Sequence, residues 1–153
     1  MSVALRLMSA EAMGPWLEAA DREYVEARIL SGESREVAEA KAAISRAEHF
    51  PDGVLVATHR IFDVVAEDAV VGILWIGPTA ESTSDWWVWD LEIHEQYRRK
   101  GYARAALELG HAEARRLGAT TIGLNVFGYN AGARELYDSL GYAVTSTQMK
   151  REL

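Results

Sequence analysis

The chain has 153 residues, 49% of them hydrophobic and 25% charged, the balance of a soluble globular protein with one sizeable core. A net charge of −7 and a pI of about 5.1 leave no broad basic surface for a nucleic-acid backbone, and no apolar run approaches the ~20 residues that span a bilayer, so neither nucleic acid nor membrane is an expected partner. There is no cysteine, which excludes disulfides, a thiolate nucleophile and a cysteine metal site. Met1 to Arg6 lacks the basic-then-apolar layout of a signal peptide, and a cytoplasmic address is expected.

Val3, Leu5 and Leu7 alternate with Ala4, Arg6 and Met8, so Val3 to Met8 reads as a first strand. Ser9 is placed to cap a helix, with Glu11 favourable in its first turn. Met13, Trp16, Leu17, Ala20, Tyr24 and Ala27 then recur at helical spacing, and Pro15 lies near the start, where it is tolerated or bends the helix. Ser31-Gly32 breaks the pattern. A second helix follows, with Val37, Ala40, Ile44 and Ala47 on one face, and ends before the turn signal Pro51-Asp52-Gly53. Val54 to Phe62 and Asp68 to Ile76 read as strands joined by a hairpin connection over Asp63 to Asp68, and Gly77-Pro78 closes the second. Thr79 to Asp85 is a polar loop, and Trp86 to Ile93 is rich in β-formers.

A helical pattern then runs through Ala103, Ala106, Leu107, Gly110, Ala114 and Leu117, closed by Gly118. Thr120 to Phe127 is a strand. Ala131 to Leu140 is a short helix with Asn130 as N-cap and Gly141 as C-cap, and Ala143 to Met149 reads as a last strand. The order β-α-α-β-β-β-α-β-α-β predicts one mixed α/β domain over residues 1–153, with no repeat and no linker.

The chemistry concentrates where the fourth of these strands meets the third helix. Gln96-Tyr97-Arg98-Arg99-Lys100-Gly101-Tyr102-Ala103 is a basic, glycine-containing turn between strand and helix. The first N–H groups of a helix lack intrahelical acceptors and sit at the positive end of its dipole, a ready anion site. Gly101 lets the backbone approach a ligand closely. A P-loop would need Gly-x-x-x-x-Gly-Lys-Ser/Thr, which is missing. A dinucleotide fold would need Gly-x-Gly-x-x-Gly and an acidic end to the next strand, which instead ends Val126-Phe127-Gly128. An ordinary turn with surface arginines stays open on the loop alone.

The spacing Arg98-x-x-Gly101-x-Ala103 resembles the acyl-CoA pyrophosphate loop of the GNAT-type N-acetyltransferase superfamily. The segment from Leu124 to Tyr142, with Asn130, Ala131, Leu136-Tyr137 and Gly141-Tyr142, is similar to the second half of that cofactor core. The resemblance implies a GNAT-like fold with a central mixed, mostly antiparallel sheet, and acetyl-CoA as cosubstrate with no metal. It implies that the amides of Arg99, Gly101, Tyr102 and Ala103, with the side chains of Arg98, Lys100 and Arg104 nearby, hold the pyrophosphate. Leu91 and Ile93 would pair by main chain with the pantetheine arm, as an added strand does. Asn130 would contact the CoA arm, and Tyr137 would stand near the thioester sulfur as the acid that protonates the departing thiolate. Asn130 is also a good N-cap, and Tyr137 also suits a packed aromatic.

Strict alternation would put Trp87, Trp89, Leu91 and Ile93 on one face and Val88, Asp90 and Glu92 on the other. Two carboxylates on one face of a central strand are costly unless paired, hydrated or functional. Glu92, beside the pantetheine-binding end, is the candidate general base, with a structural ion pair to the early helices as its other reading. Asn125 stands where some members of the superfamily carry a carboxylate, and an amide cannot take a proton. His49, His59, His94 and His111 show no metal-ligand spacing. The expected activity is acetyl transfer from acetyl-CoA to a primary amine by direct attack. A non-catalytic CoA-binding module is the alternative, with a dinucleotide-binding fold behind it. The acceptor, a small-molecule or peptide amine, would sit against the helices between Ser9 and Phe50, whose acidic residues suit a cation. A homodimer is implied by resemblance only.

Overall fold

The computed structural model describes residues 2–153; Met1 lies outside them. The elements are β1 (Val3–Leu7), α1 (Ala10–Leu30), α2 (Arg35–His49), β2 (Arg60–Ala66), β3 (Ala69–Pro78), β4 (Asp85–Ile93), α3 (Tyr102–Arg116), β5 (Thr121–Gly123) and α4 (Ala131–Ser139). Short 3₁₀ turns at Pro51–Gly53 and Glu95–Tyr97 complete the list. Five strands form one sheet in the order β1-β2-β3-β4-β5. The first three pairings are antiparallel and β4 runs parallel to β5, so the expected mixed, mostly antiparallel sheet is present. No helix of the described residues is long and apolar enough to cross a membrane.

The helix starts follow from their caps. Ser9 Oγ accepts the Ala12 N–H at 3.2 Å and Ser34 Oγ accepts that of Val37 at 3.2 Å, each satisfying one of the orphan donors of a helix start. Pro15 is carried inside α1, which continues through it. One face of the sheet packs on α3 and α4 through Phe62, Val64, Leu74, Ile76, Trp86 and Val88 against Tyr102, Ala106, Leu107 and Ala114. The other packs on α1 and the chain after α2, where Met8, Leu17, Phe50, Ile61, Ile73 and Trp75 meet. α3 lies close because Gly110 has no side chain: a Cβ there would stand 2.6 Å from Cδ2 of the fully buried Leu74. Gly110→Ala is expected to destabilise the fold by about 1–2 kcal/mol, overpacking outweighing the about 1 kcal/mol alanine gains as a helix former. Urea unfolding of the two proteins at neutral pH measures it.

Several boundaries differ from the sequence reading. β2 begins at Arg60, not Val54, because residues 54–59 form a turn closed by Val56 N–H to His49 C=O (2.9 Å) and His59 N–H to Val56 C=O (3.1 Å). The hairpin connection is only Glu67-Asp68, both with positive φ, as a tight two-residue turn requires; Asp63 to Ala66 belong to β2. α2 buries Ala38, Ala42 and His49, not the expected face: Val37 and Ile44 are exposed. Small alanines let α2 lie close against Val25 of α1, and that contact decides its rotation. Only Thr121–Gly123 of the stretch from Thr120 to Phe127 pairs with the sheet. The last strand is absent among the described residues: Ala143 to Met149 is exposed, without ladder bonds, and Lys150 Nζ donates to the Gly32 C=O at 3.0 Å.

Candidate active site

Two irregularities in β4 build the site. Val88 lies opposite Ile76 and Asp90 opposite Trp75, so Trp89 is an extra residue, a β-bulge that bends the strand. β4 meets β5 only at Asp85, Trp86 and Trp87, opposite Thr121, Ile122 and Gly123. Beyond Trp87 the two strands part, and the outer edge of β4 is left without a strand partner. His94 N–H bonds Val71 C=O at 2.8 Å, toward β3. Main-chain groups alternate in direction along a strand, so those of Leu91 and Ile93 face the open edge. The edge is therefore where the sequence reading places an extended amide ligand. Two groups on it are engaged: Arg98 Nε donates to the Ile93 C=O at 2.8 Å, and the Leu91 N–H contacts the Asp90 carboxyl.

The bulge also corrects the alternation. Trp86 and Val88 share the α3 face with Leu91 and Ile93, while Asp90 opposite Trp75 and Glu92 opposite Ile73 point to the α1 side. The two carboxylates do share a face, but Val88 does not join them, and Leu91 and Ile93 do not join Trp89.

After Ile93 the chain turns through Glu95–Tyr97, with Tyr97 N–H on His94 C=O (2.8 Å) and Arg98 N–H on Glu95 C=O (3.2 Å). Arg99 and Gly101 then take positive φ, 62° and 82°. Gly101 is the N-cap of α3, and its C=O accepts the Ala105 N–H at 3.1 Å. Tyr102, Ala103 and Arg104 thus occupy the first helical turn, whose N–H groups precede any intrahelical bond. Tyr102 buries its ring in the core and fixes the helix start. Lys100 Nζ lies 5.8 Å from the Tyr97 ring centroid. All four basic side chains are exposed; Arg98 donates to Ile93 and Arg104 to the Ser139 hydroxyl of α4, while Arg99 and Lys100 make no side-chain hydrogen bond among the described residues.

Asn130 Oδ1 accepts the Ala133 N–H at 3.2 Å, so the N-cap role is real. Seven residues on, the half-buried Tyr137 ring packs edge-on against Tyr142 at 5.7 Å between centroids. Tyr142 is itself held by a 2.6 Å hydrogen bond between its hydroxyl and Nε2 of His111. His111 is thus part of this support and not the bare surface residue its place on the helix suggests. Burial, and then the charge of Asp90, push the Tyr137 phenol above the ordinary tyrosine value. Burial pushes Tyr142 up to about 12. Both phenols carry their protons at neutral pH.

Asp90 is the group the sequence reading leaves out. Burial, and then the charges of Glu92 and Glu23, push its carboxyl up to about 7; a contact from the Leu91 N–H works the other way. Burial also raises Glu23 of α1, and the facing carboxylate of Glu92 raises it further. Glu92 therefore faces another acid, and the structure records no ion pair for it among the described residues. The charge of the Asp90 carboxyl, on the α1 side of β4, reaches the protonated Tyr137 phenol, which packs on the α3 and α4 side.

The far side of β4 is aromatic. His59 Nδ1 accepts the Trp75 Nε1–H at 3.0 Å, so the proton of this ring is on Nε2, which donates to the Pro78 C=O at 3.2 Å. Burial, and then the neighbouring His49, push His59 down to about 4. Rings of His49 and His59 lie 5.0 Å apart, and Trp89 lies 4.3 Å from His49 and 5.5 Å from His59. No spacing in the sequence brings these two histidines together.

Comparison with known proteins agrees with this geometry. The Acetyltransferase (GNAT) family matches residues 15–142. The chain is 29% identical over 156 residues, the full length of both, to YycN of Bacillus subtilis (strain 168), named an uncharacterized N-acetyltransferase. It is 26% identical over 160 residues to YdgE of the same organism, covering all of this chain and 99% of that one, with the same kind of name. The crystal structure of YycN superposes with a TM-score of 0.88 at 28% identity, covering 99% of each chain. A ribosomal-protein-alanine N-acetyltransferase from Brucella melitensis shares the fold at 15% identity, with a TM-score of 0.61 over 99% of this chain and all of that one. A match from Pro15 through Tyr142, which takes in the glycine turn, the open edge of β4 and the Asn130-capped helix, makes this chain a member of the GNAT family of acetyltransferases.

Proposed function

We propose that the protein transfers an acetyl group from acetyl-CoA to a primary amine, the amine attacking directly while both substrates are bound. The observation that carries the reading is the parting of β4 from β5, with the glycine turn at one end and Asp90 near enough for its charge to raise the Tyr137 phenol. An open edge and unpaired helix-start amides fit a ligand that is an extended amide chain ending in a diphosphate. Acetyl-CoA supplies the activated acyl carbon; the residues do the rest. The amides of Tyr102 and Ala103, with Arg99 and Lys100, hold the diphosphate. Leu91 and Ile93 align the arm. Open-edge N–H groups offer hydrogen bonds to the oxygen that becomes negative during attack. Asp90, with Glu92 and Glu23 around it, accepts the proton an ammonium must lose. Tyr137 offers its O–H to the departing sulfur.

Thiol release from acetyl-CoA across a panel of amines tests this. Tight CoA binding with no amine-dependent release would leave only a CoA-binding module. The loop is tested separately. At φ 82° a side chain at Gly101 strains the backbone by roughly 1–2 kcal/mol and intrudes where a phosphate would rest. Gly101→Val is expected to weaken acetyl-CoA binding at least about tenfold. Calorimetry finding unchanged affinity removes the loop from the site.

A further inference from the structure

Between α1, α2 and the bulged strand lies a cleft of about 270 Å³, lined by Tyr24, Lys41, Ile44, Glu48, His49 and Trp89, with Ser45 in its wall. Two of its lining residues, Trp89 and Tyr24, are chain neighbours of Asp90 and Glu23, which themselves do not line it. Its walls are the rings of Trp89 and Tyr24 and the side chain of Ile44. Its one lining cation is already engaged: Lys41 Nζ pairs with Glu33 at 3.0 Å, as Arg28 does from the next turn of α1 at 2.7 Å. Glu48 has no ion-pair partner among the described residues. His49 is only 7% exposed and meets Ser45 Oγ through Nδ1 at 3.3 Å, while its Nε2 has no hydrogen-bond partner among them. A neutral imidazole can present that nitrogen as an acceptor, and burial, its largest influence, lowers the pKa of His49.

We infer that this cleft is a subsite for the second ammonium of a diamine: one amino group lies among Asp90, Glu92 and Glu23, the alkyl chain crosses the Trp89 and Tyr24 rings, and the other amino group meets Glu48 and His49. The inference rests on the acetyl-transfer reading for the role of the first amine. Aromatic faces attract a cation electrostatically, and the apolar waist accepts methylene groups. A monoamine leaves Glu48 without a partner. An amino acid would bring its carboxylate to a wall whose cation is already paired. The group transferred is ordinary acetyl: a C–N bond forms, the thioester C–S bond breaks, the amine proton passes to the carboxylates and the sulfur leaves as the thiol.

Calorimetry on the intact protein, with 1,4-diaminobutane and n-butylamine as probes, separates the possibilities, and thiol release from acetyl-CoA is followed with the same two amines. The diamine is expected to bind at least about tenfold more tightly, and Glu48→Gln, on an exposed stretch of α2, to abolish that difference while leaving the monoamine unchanged. Equal affinity for the two amines, no binding of either, or an equal loss of both in the variant overturns the subsite. Diamine binding without thiol release keeps the subsite and overturns acetyl transfer. Thiol release from both amines at equal kcat/KM keeps acetyl transfer and overturns the subsite.

Discussion

Tyr137→Phe is expected to lower kcat by roughly 10²–10⁴-fold while changing acetyl-CoA affinity less than about threefold. The substitution removes one oxygen. Phenylalanine keeps the edge-on packing against Tyr142, and the Tyr137 hydroxyl has no recorded hydrogen bond among the described residues, so the fold does not depend on it. The sign of its perturbation bears on the mechanism. Burial and the charge of Asp90 hold the phenol above its ordinary value, which keeps the proton in place but makes the group a weaker acid. Full transfer to a thiolate of ordinary pKa, about 8.5, would be uphill by roughly 2 kcal/mol or more. The same burial raises the thiol's own pKa, and donation of a hydrogen bond is most favourable once charge has collected on the sulfur. The interaction therefore strengthens along the reaction and belongs in kcat rather than in binding. Steady-state rates with calorimetric affinities measure both, and equal turnover in the two proteins excludes Tyr137 from the chemistry.

What could be read in the sequence was what is encoded locally. The basic turn before Gly101 and the Asn130 cap depend on a few neighbouring residues with strong conformational demands, and both stand where the spacing puts them. Tyr137 is positioned by its seven-residue distance from that cap. What the sequence hides depends on partners far along the chain. The bulge at Trp89 is a mismatch between β3 and β4, invisible in β4 alone, and it turns Leu91 and Ile93 to the α3 face. The rotation of α2 is hidden in the sequence because Val37 and Ile44 are the large apolar residues, whereas Ala38 and Ala42 make the close contact. His49 and His59 meet only because Trp75 and Trp89 bring their elements together. The tail from Ala143 has the alternation of a strand, but alternation alone does not supply the ladder bonds, and the tail makes none although the outer side of β5 has no strand partner among the described residues.

Asp90→Asn is expected to move stability and activity in opposite directions. In the folded protein the Asp90 carboxyl sits near pKa 7 because burial and the charges of Glu92 and Glu23 oppose its ionisation; unfolded, it returns to about 3.8. The folded state therefore holds more protons than the unfolded one between these values, and stability falls as pH rises through 7. Well below pH 3.8 the group is neutral in both states and costs nothing. At pH 8 it is ionised in both, and the folded state bears a penalty of roughly 2–4 kcal/mol, from about three pKa units less a discount for the part of Asp90 open to solvent. Asparagine keeps the shape and removes the charge. Urea unfolding should find the variant more stable at pH 8 by about that amount and indistinguishable at about pH 3. Turnover should fall by roughly 10²–10⁴-fold, and the rise in kcat/KM near pH 7 that reports loss of the Asp90 proton should flatten. A residue strained in the folded state, at a functional cost when relieved, is what a catalytic base in a low-dielectric site requires. Were the variant no more stable at pH 8, Asp90 would be better solvated than its surroundings imply, and Glu92 would return as the base. Were it more stable and fully active, the raised carboxyl would be a byproduct of crowding three acids at one strand.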